Sequence, residues 1–137
     1  MKPVATALCL SALIIPLASA ATPRDDLLAS YAAAAKAAAP SFSGFSAARG
    51  EKLQEGKFTG GKPETPSCTT CHGDNPRGAG RTSAGKAIEA LAVSVTPTRY
   101  TDSAKVEKWF KRNCTEVLGR ECTPLEKGDW LSYMISQ

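Results

Sequence analysis

In the stretch Cys68-Thr69-Thr70-Cys71-His72, residue types and spacing together specify a chemistry. Two thiols three positions apart on a helical turn reach the two vinyl groups on one edge of a porphyrin. Thioether bonds then fix the macrocycle, and the next residue lies beneath the iron with an imidazole nitrogen to offer. The chain holds one histidine, and it occupies the position that attachment of a c-type haem requires. Other uses of two such thiols fit less well. A thiol–disulfide exchange pair follows a strand in a βαβ setting, whereas Cys68 follows the turn-rich run Thr59-Gly60-Gly61-Lys62-Pro63-Glu64-Thr65-Pro66. A zinc site needs a further ligand, which Cys114 or Cys122 could supply.

The second axial position decides what such a haem can do. Ligation by two histidines is excluded within one chain, because no second histidine exists. Met134 is the one methionine beyond the leader, and it falls in the last turn of the last helix beside Trp130, Leu131 and Ile135, where a core role suits it better than ligation. Asn113 is a polar amide on the apolar stripe Val106, Trp109 and Phe110, and a buried amide without partners costs about 1–3 kcal/mol. A backbone hydrogen bond or a helix end would satisfy it, and so would the iron. Periodicity alone favours the former. Cys114 follows directly and Cys122 comes eight residues later. A disulfide between them would close the turn 115–121, with about 2.6 kcal/mol of stabilisation on the chain-entropy model, and would pin the backbone beside Asn113.

The elements that must position these residues read as helices. Residues 24–39 open with Asp25 and Asp26 in the first turn, which suits the helix dipole, and set Leu27, Leu28, Tyr31, Ala35 and Ala38 near one face. A second helix over 46–57 turns Ala47, Ala48 and Leu53 inward and ends at Gly56. Residues 73–83 form a loop, a short helix over 83–91 turns Ile88 and Leu91 inward, and 93–97 is irregular. Residues 102–114 form an amphipathic helix capped by Asp102 or Ser103, with Val106, Trp109, Phe110 and Asn113 on one face and Lys105, Lys108, Lys111 and Arg112 on the other. Thr123, Pro124 and Glu126 make a capping box for the last helix, whose inner face holds Trp130, Leu131, Met134 and Ile135. Little alternation of period two occurs, so the fold class is all-α.

Residues 1–20 read as a secretory signal peptide: Lys2, an apolar run from Val4 to Leu17, then Ala18-Ser19-Ala20. Cys9 lies within that run and should leave with it, and no cysteine sits at the cleavage point to carry a lipid anchor. Residues 21–137 then form one monohaem domain, periplasmic and without a membrane anchor. The 17 basic and 13 acidic residues give +4, or +3 once Lys2 is gone. That weak excess does not imply nucleic acid. Lys105, Lys108 and Lys111 read as a solvated helix side, with an acidic docking partner as the sharper alternative. Aromatic residues make up only 7% of the chain, and a large flat haem would supply the missing apolar mass.

Taken together, Gly60–Gly73 around the thiols, Tyr100–Trp109, Arg112-Asn113-Cys114 and Gly119–Pro124 resemble the sphaeroides haem protein family of oxygen-binding monohaem cytochromes c, relatives of cytochrome c-double-prime, over nearly the whole chain after the leader. The resemblance implies a small class I-like cytochrome c fold with an extra N-terminal helix, one covalent haem c on Cys68 and Cys71, His72 as proximal ligand, Asn113 as distal ligand and a Cys114–Cys122 disulfide. An amide is a neutral, fairly hard donor that ferric iron tolerates and ferrous iron holds weakly. Reduction should therefore release Asn113 and open the iron to oxygen, nitric oxide or carbon monoxide. The resemblance implies the same behaviour, with a dihaem cytochrome c as electron donor. A simple electron carrier whose sixth position stays filled by Met134 or Asn113 is the alternative. A redox enzyme acting on bound oxygen or nitric oxide is a third reading. It would need a proton source, for which Tyr31, Tyr100, Arg77 and Arg81 are candidates in principle.

Overall fold

The computed structural model describes residues 21–137; the signal peptide expected over residues 1–20, Cys9 included, lies outside the described residues. Helix α1 spans Pro23–Ala38, α2 Ala47–Glu55, α3 Thr69–His72, α4 Ser103–Leu118 and α5 Pro124–Ser136. Two short strands, β1 (Gly80–Arg81) and β2 (Ala87–Ile88), pair antiparallel with Gly80 opposite Ile88. The fold is all-α with this one hairpin. No described helix is long and apolar enough to cross a membrane.

Local chemistry sets the helix ends. Thr22 and Asp25 form a capping box with Pro23 in the first turn of α1, and Thr123 and Glu126 form another with Pro124 at α5. Asp102 caps α4, which runs four residues beyond the expected 114 and stops at Gly119, whose left-handed φ of 71° suits glycine. Asn113 and Cys114 are therefore inside a helix rather than at its end.

Two clusters make the core. Leu27, Tyr31, Val106, Phe110, Cys114, Cys122 and Leu131 join α1, α4 and α5. Leu91, Tyr133 and Met134 form a second, and Tyr100 and Trp130 pack against both. Helix α2 lies directly on α5: a Cβ at Gly50 would overlap the backbone carbonyl of Asp129. The Asp129 carboxylate ties the start of α2 down, accepting from Ser46 N at 2.7 Å and from Arg49 Nε at 2.6 Å and Nη2 at 2.8 Å. Helix α1 reaches the 97–99 loop through Arg24 Nη1, which donates to the carbonyls of Pro97 at 2.7 Å and Arg99 at 3.0 Å.

Several expectations are corrected. No helix forms over 83–91. Gly85 turns with φ of 82°, donates from its amide to Thr82 O at 2.8 Å and lets 87–88 return as a strand. Ala38 and Ala48 are exposed, and α2 buries Gly50 and Gln54 instead. Ile135 is exposed and Tyr133 takes its place inside, because α5 presents Leu131, Tyr133 and Met134 to the core. Trp109 is 44% exposed: α4 buries Val106, Phe110, Cys114 and Val117, one strip away from Trp109.

Candidate functional site

The segment leading to Cys68 is held by backbone contacts. Lys62 N donates to Glu116 O at 2.7 Å and Phe58 N to Pro66 O at 2.7 Å. Cβ atoms at Gly60 and Gly61 would collide with the carbonyls of Leu118 and Glu116, so the loop lies flat on the end of α4 only because these positions are glycine. Ser67 is buried; its hydroxyl donates to Gln54 O at 3.2 Å and accepts from Thr69 N at 3.3 Å, starting the turn that carries the thiols. Within that turn His72 N bonds Cys68 O at 3.1 Å. From the other side β1 crosses so closely that a Cβ at Gly80 would overlap Cys71 O and stand 2.9 Å from His72 Cα.

Cys68 and Cys71 are unpaired, half-buried thiols on this single turn. Burial first, and then the neighbouring Cys71, push the Cys68 thiol up to about 11, where it stays protonated. That is the reverse of the depressed value a thiol–disulfide exchange cysteine needs. Burial, followed by the nearby Arg99 guanidinium, pushes His72 down to about 4, so the imidazole is neutral with a lone pair to give. His72 Nδ1 is buried and unpartnered among the described residues, as is Gln54 Nε2.

Asn113 lies half-buried on α4, one turn from Trp109 and between the Cys114 face and the solvated side. The side-chain bonds of this helix belong to others, with Thr115 Oγ1 donating to Lys111 O at 2.7 Å and Arg112 Nε to Glu116 Oε1 at 3.4 Å. Arg112 covers the Trp109 ring with its guanidinium carbon 5.5 Å from the centroid. Behind Asn113, Cys114 and Cys122 are bonded to each other, Cα to Cα 5.6 Å, which joins α4, one turn before its end, to the segment that leads into α5. That bond withdraws both cysteines from a zinc site, and no group of three or more His, Cys, Asp or Glu that could hold a metal ion occurs among the described residues. Met134 is fully buried against Leu91 and Tyr133, and its carbonyl holds Val93 N at 3.1 Å.

The remaining candidates are occupied or outlying. Tyr100 Oη donates to Leu91 O at 2.8 Å, and Arg81 Nη1 to Gly85 O at 2.8 Å. Arg77 is exposed, as are Lys105, Lys108 and Lys111. Tyr31 is buried and donates to Glu107. Two surface grooves, about 460 Å³ between Phe42 and Leu125 and about 310 Å³ between Leu27 and Thr101, contain none of the motif residues.

Residues 40–134 match a family described as a domain of unknown function (DUF1924). The chain is 50% identical over 131 residues to cytochrome c-type protein SHP of Cereibacter sphaeroides, covering 95% of this chain and 97% of that protein. It resembles the structure of oxidized SHP, an oxygen binding cytochrome c, with TM-score 0.78 and 51% identity over 85% of this chain and 98% of that one. It also resembles the solution structure of Methylophilus methylotrophus cytochrome c'', a protein studied for the structural basis of haem-ligand detachment, with TM-score 0.72 and 32% identity over 83% and 93% of the two chains. Two unpaired thiols on one turn, and a half-buried neutral imidazole with an orphaned nitrogen, fit the haem c that such cytochromes bind.

Proposed function

Because the chain belongs to the sphaeroides haem protein family, c-type cytochromes with covalently bound haem c, we propose that Cys68 and Cys71 carry its single haem and that His72 and Asn113 are the axial residues of a gas-binding site gated by reduction. When bound, the haem supplies a one-electron couple and, once reduced, an axial position for a diatomic gas.

The protein's own groups do the rest. The thioether sulfurs of Cys68 and Cys71 fix the group to a turn that backbone contacts already hold rigid. His72 would offer Nε2, and its half-buried, neutral imidazole needs no deprotonation to do so. With the haem bound, Asn113 would offer a carbonyl oxygen that suits the harder, oxidised ion better than the softer, reduced one. Trp109, one turn away, lends an apolar wall to the same side. The place that Asn113 would leave is the one open to oxygen, nitric oxide or carbon monoxide.

The observation that carries this reading is the half-buried Asn113 amide, which sits on α4 beside the exposed Trp109 while the helix's side-chain hydrogen bonds are made by other residues. Oxygen binding by SHP and ligand detachment in cytochrome c'' support it. The full burial of Met134 supports a core role there and speaks against a carrier whose sixth position that sulfur fills. The same reading places residues 1–20 as a cleaved leader, residues 21–137 as a single periplasmic domain, and a dihaem cytochrome c as electron donor.

The test is Asn113→Ala in the haem-loaded protein. The oxidised form should turn water-ligated and high-spin, while the reduced form keeps its carbon monoxide binding. An unchanged oxidised spectrum removes Asn113 from the iron.

A further inference from the structure

We propose that Tyr31 is a redox-active tyrosine that gives up one electron along the aromatic file Phe110–Trp130 and one proton to Glu107. The proposal rests on the open reduced site described above.

Three helices meet at this phenol. Tyr31, on α1, is 5% exposed, and its hydroxyl donates to Glu107 Oε1 of α4. The other carboxylate oxygen of Glu107 takes Lys127 Nζ of α5 at 2.6 Å. Lys127 Nζ also lies 5.7 Å from the Tyr31 ring centroid and 5.9 Å from that of Phe110. Burial pulls Glu107 upward, but the Lys127 and Tyr31 bonds outweigh it and hold the carboxyl below its ordinary range, so it stands ready as a base. Burial and then Glu107 push the Tyr31 phenol far above its ordinary range. It therefore keeps its proton until an electron leaves, and the proton then crosses one hydrogen bond.

An electron has a route. Tyr31 meets Phe110 edge to face with centroids 6.2 Å apart, Phe110 meets Trp130 at 5.4 Å, and Trp130 meets Tyr100 at 5.7 Å. Trp130 Nε1 donates to Gln54 Oε1 at 2.8 Å, and the Gln54 carbonyl accepts from Ser67, the neighbour of Cys68. The file thus joins the buried phenol to the segment that carries the two thiols.

The oxidant is a hydroperoxide. Its O–O bond breaks with two electrons and two protons to give an alcohol (water, from hydrogen peroxide) and water. The haem, when bound and reduced, would supply one electron; Tyr31 supplies the other and becomes a neutral tyrosyl radical. The Tyr31 proton stays on Glu107 until solvent takes it, and solvent supplies the two that the peroxide consumes.

The experiment mixes the reduced, haem-loaded protein with hydrogen peroxide, freezes it and records electron paramagnetic resonance. A tyrosyl signal is expected, absent in Tyr31→Phe and several-fold weaker in Glu107→Gln, with carbon monoxide binding unchanged in both variants. A staple that only stabilises the helices would shift the melting temperature and leave the radical where it was. A signal undiminished in Tyr31→Phe overturns the proposal. Flash oxidation with a ruthenium(III) polypyridyl complex needs no open iron site, so it keeps the two readings apart. A tyrosyl transient lost in Tyr31→Phe and formed several-fold more slowly in Glu107→Gln supports the relay, and its absence overturns it even where carbon monoxide binds. Failure of the reduced protein to bind carbon monoxide overturns the open site instead.

Discussion

The two sides of the proposed haem site are held in opposite ways. The His72 side is fixed by main chain: the 58–66 loop lies on the end of α4, Ser67 is bonded into α2, and β1 presses on Cys71 and His72 through a glycine that admits no side chain. The Asn113 side is a single amide on a helix strip, with its backbone pinned by the disulfide behind it and its side chain half-buried. Rigid main chain suits a ligand that never leaves. A pinned backbone with a half-buried side chain suits one that must let go and return to the same place.

The comparison breaks most completely at the thiols. Replacing both Cys68 and Cys71 by Ala should leave the haem extractable into acidified organic solvent, where the parent protein retains it; retention in the double variant would mean that attachment lies elsewhere. Gly80→Ala should come next. Its Cβ meets only backbone atoms of Cys71 and His72, which cannot swing aside, and overpacking of this kind costs about 1–3 kcal/mol. Denaturant unfolding would read it, and a cost near zero would show that the His72 side is not tightly held.

The scaffold beneath that side gives a smaller effect. Asp129→Ala removes the acceptor for Ser46 N and Arg49, and losing hydrogen bonds to a buried charged group costs about 2 kcal/mol. On the Asn113 side the effect depends on pH. The Arg120 guanidinium first, and then the Thr123 cap, hold Glu126 below its ordinary value of 4.5. A carboxylate depressed in the folded state adds stability that is fully present above 4.5 and is lost as the pH falls below it through the folded value. Glu126→Gln should therefore flatten acid unfolding over that window, checked by melting temperature against pH, and leave stability near pH 7 lower than in the parent. A parallel acid dependence in the variant would contradict it.

The sequence was most informative where chemistry constrains neighbours. The C-x-x-C-H spacing and the Thr123–Glu126 capping box depend on residues a turn apart, and each is legible without a fold. The 83–91 segment is not legible in this way, because Ile88 and Leu91 keep a helical spacing, while Gly85 and the pairing with Gly80 and Arg81 decide its shape. Trp109 shows a different limit. An apolar stripe does not say which of its members face the core, and the strip carrying Trp109 and Asn113 lies beside the buried one. The Tyr31–Glu107 and Arg49–Asp129 pairs lie 76 and 80 residues apart in the chain, and only packing of the helices brings them together.

Magnetic circular dichroism of the haem-loaded protein, recorded oxidised and then reduced, tests the gating claim most directly. The account predicts a low-spin, six-coordinate oxidised form that becomes high-spin and five-coordinate on reduction. A reduced form that stays low-spin would contradict it and leave an electron carrier with both axial positions filled.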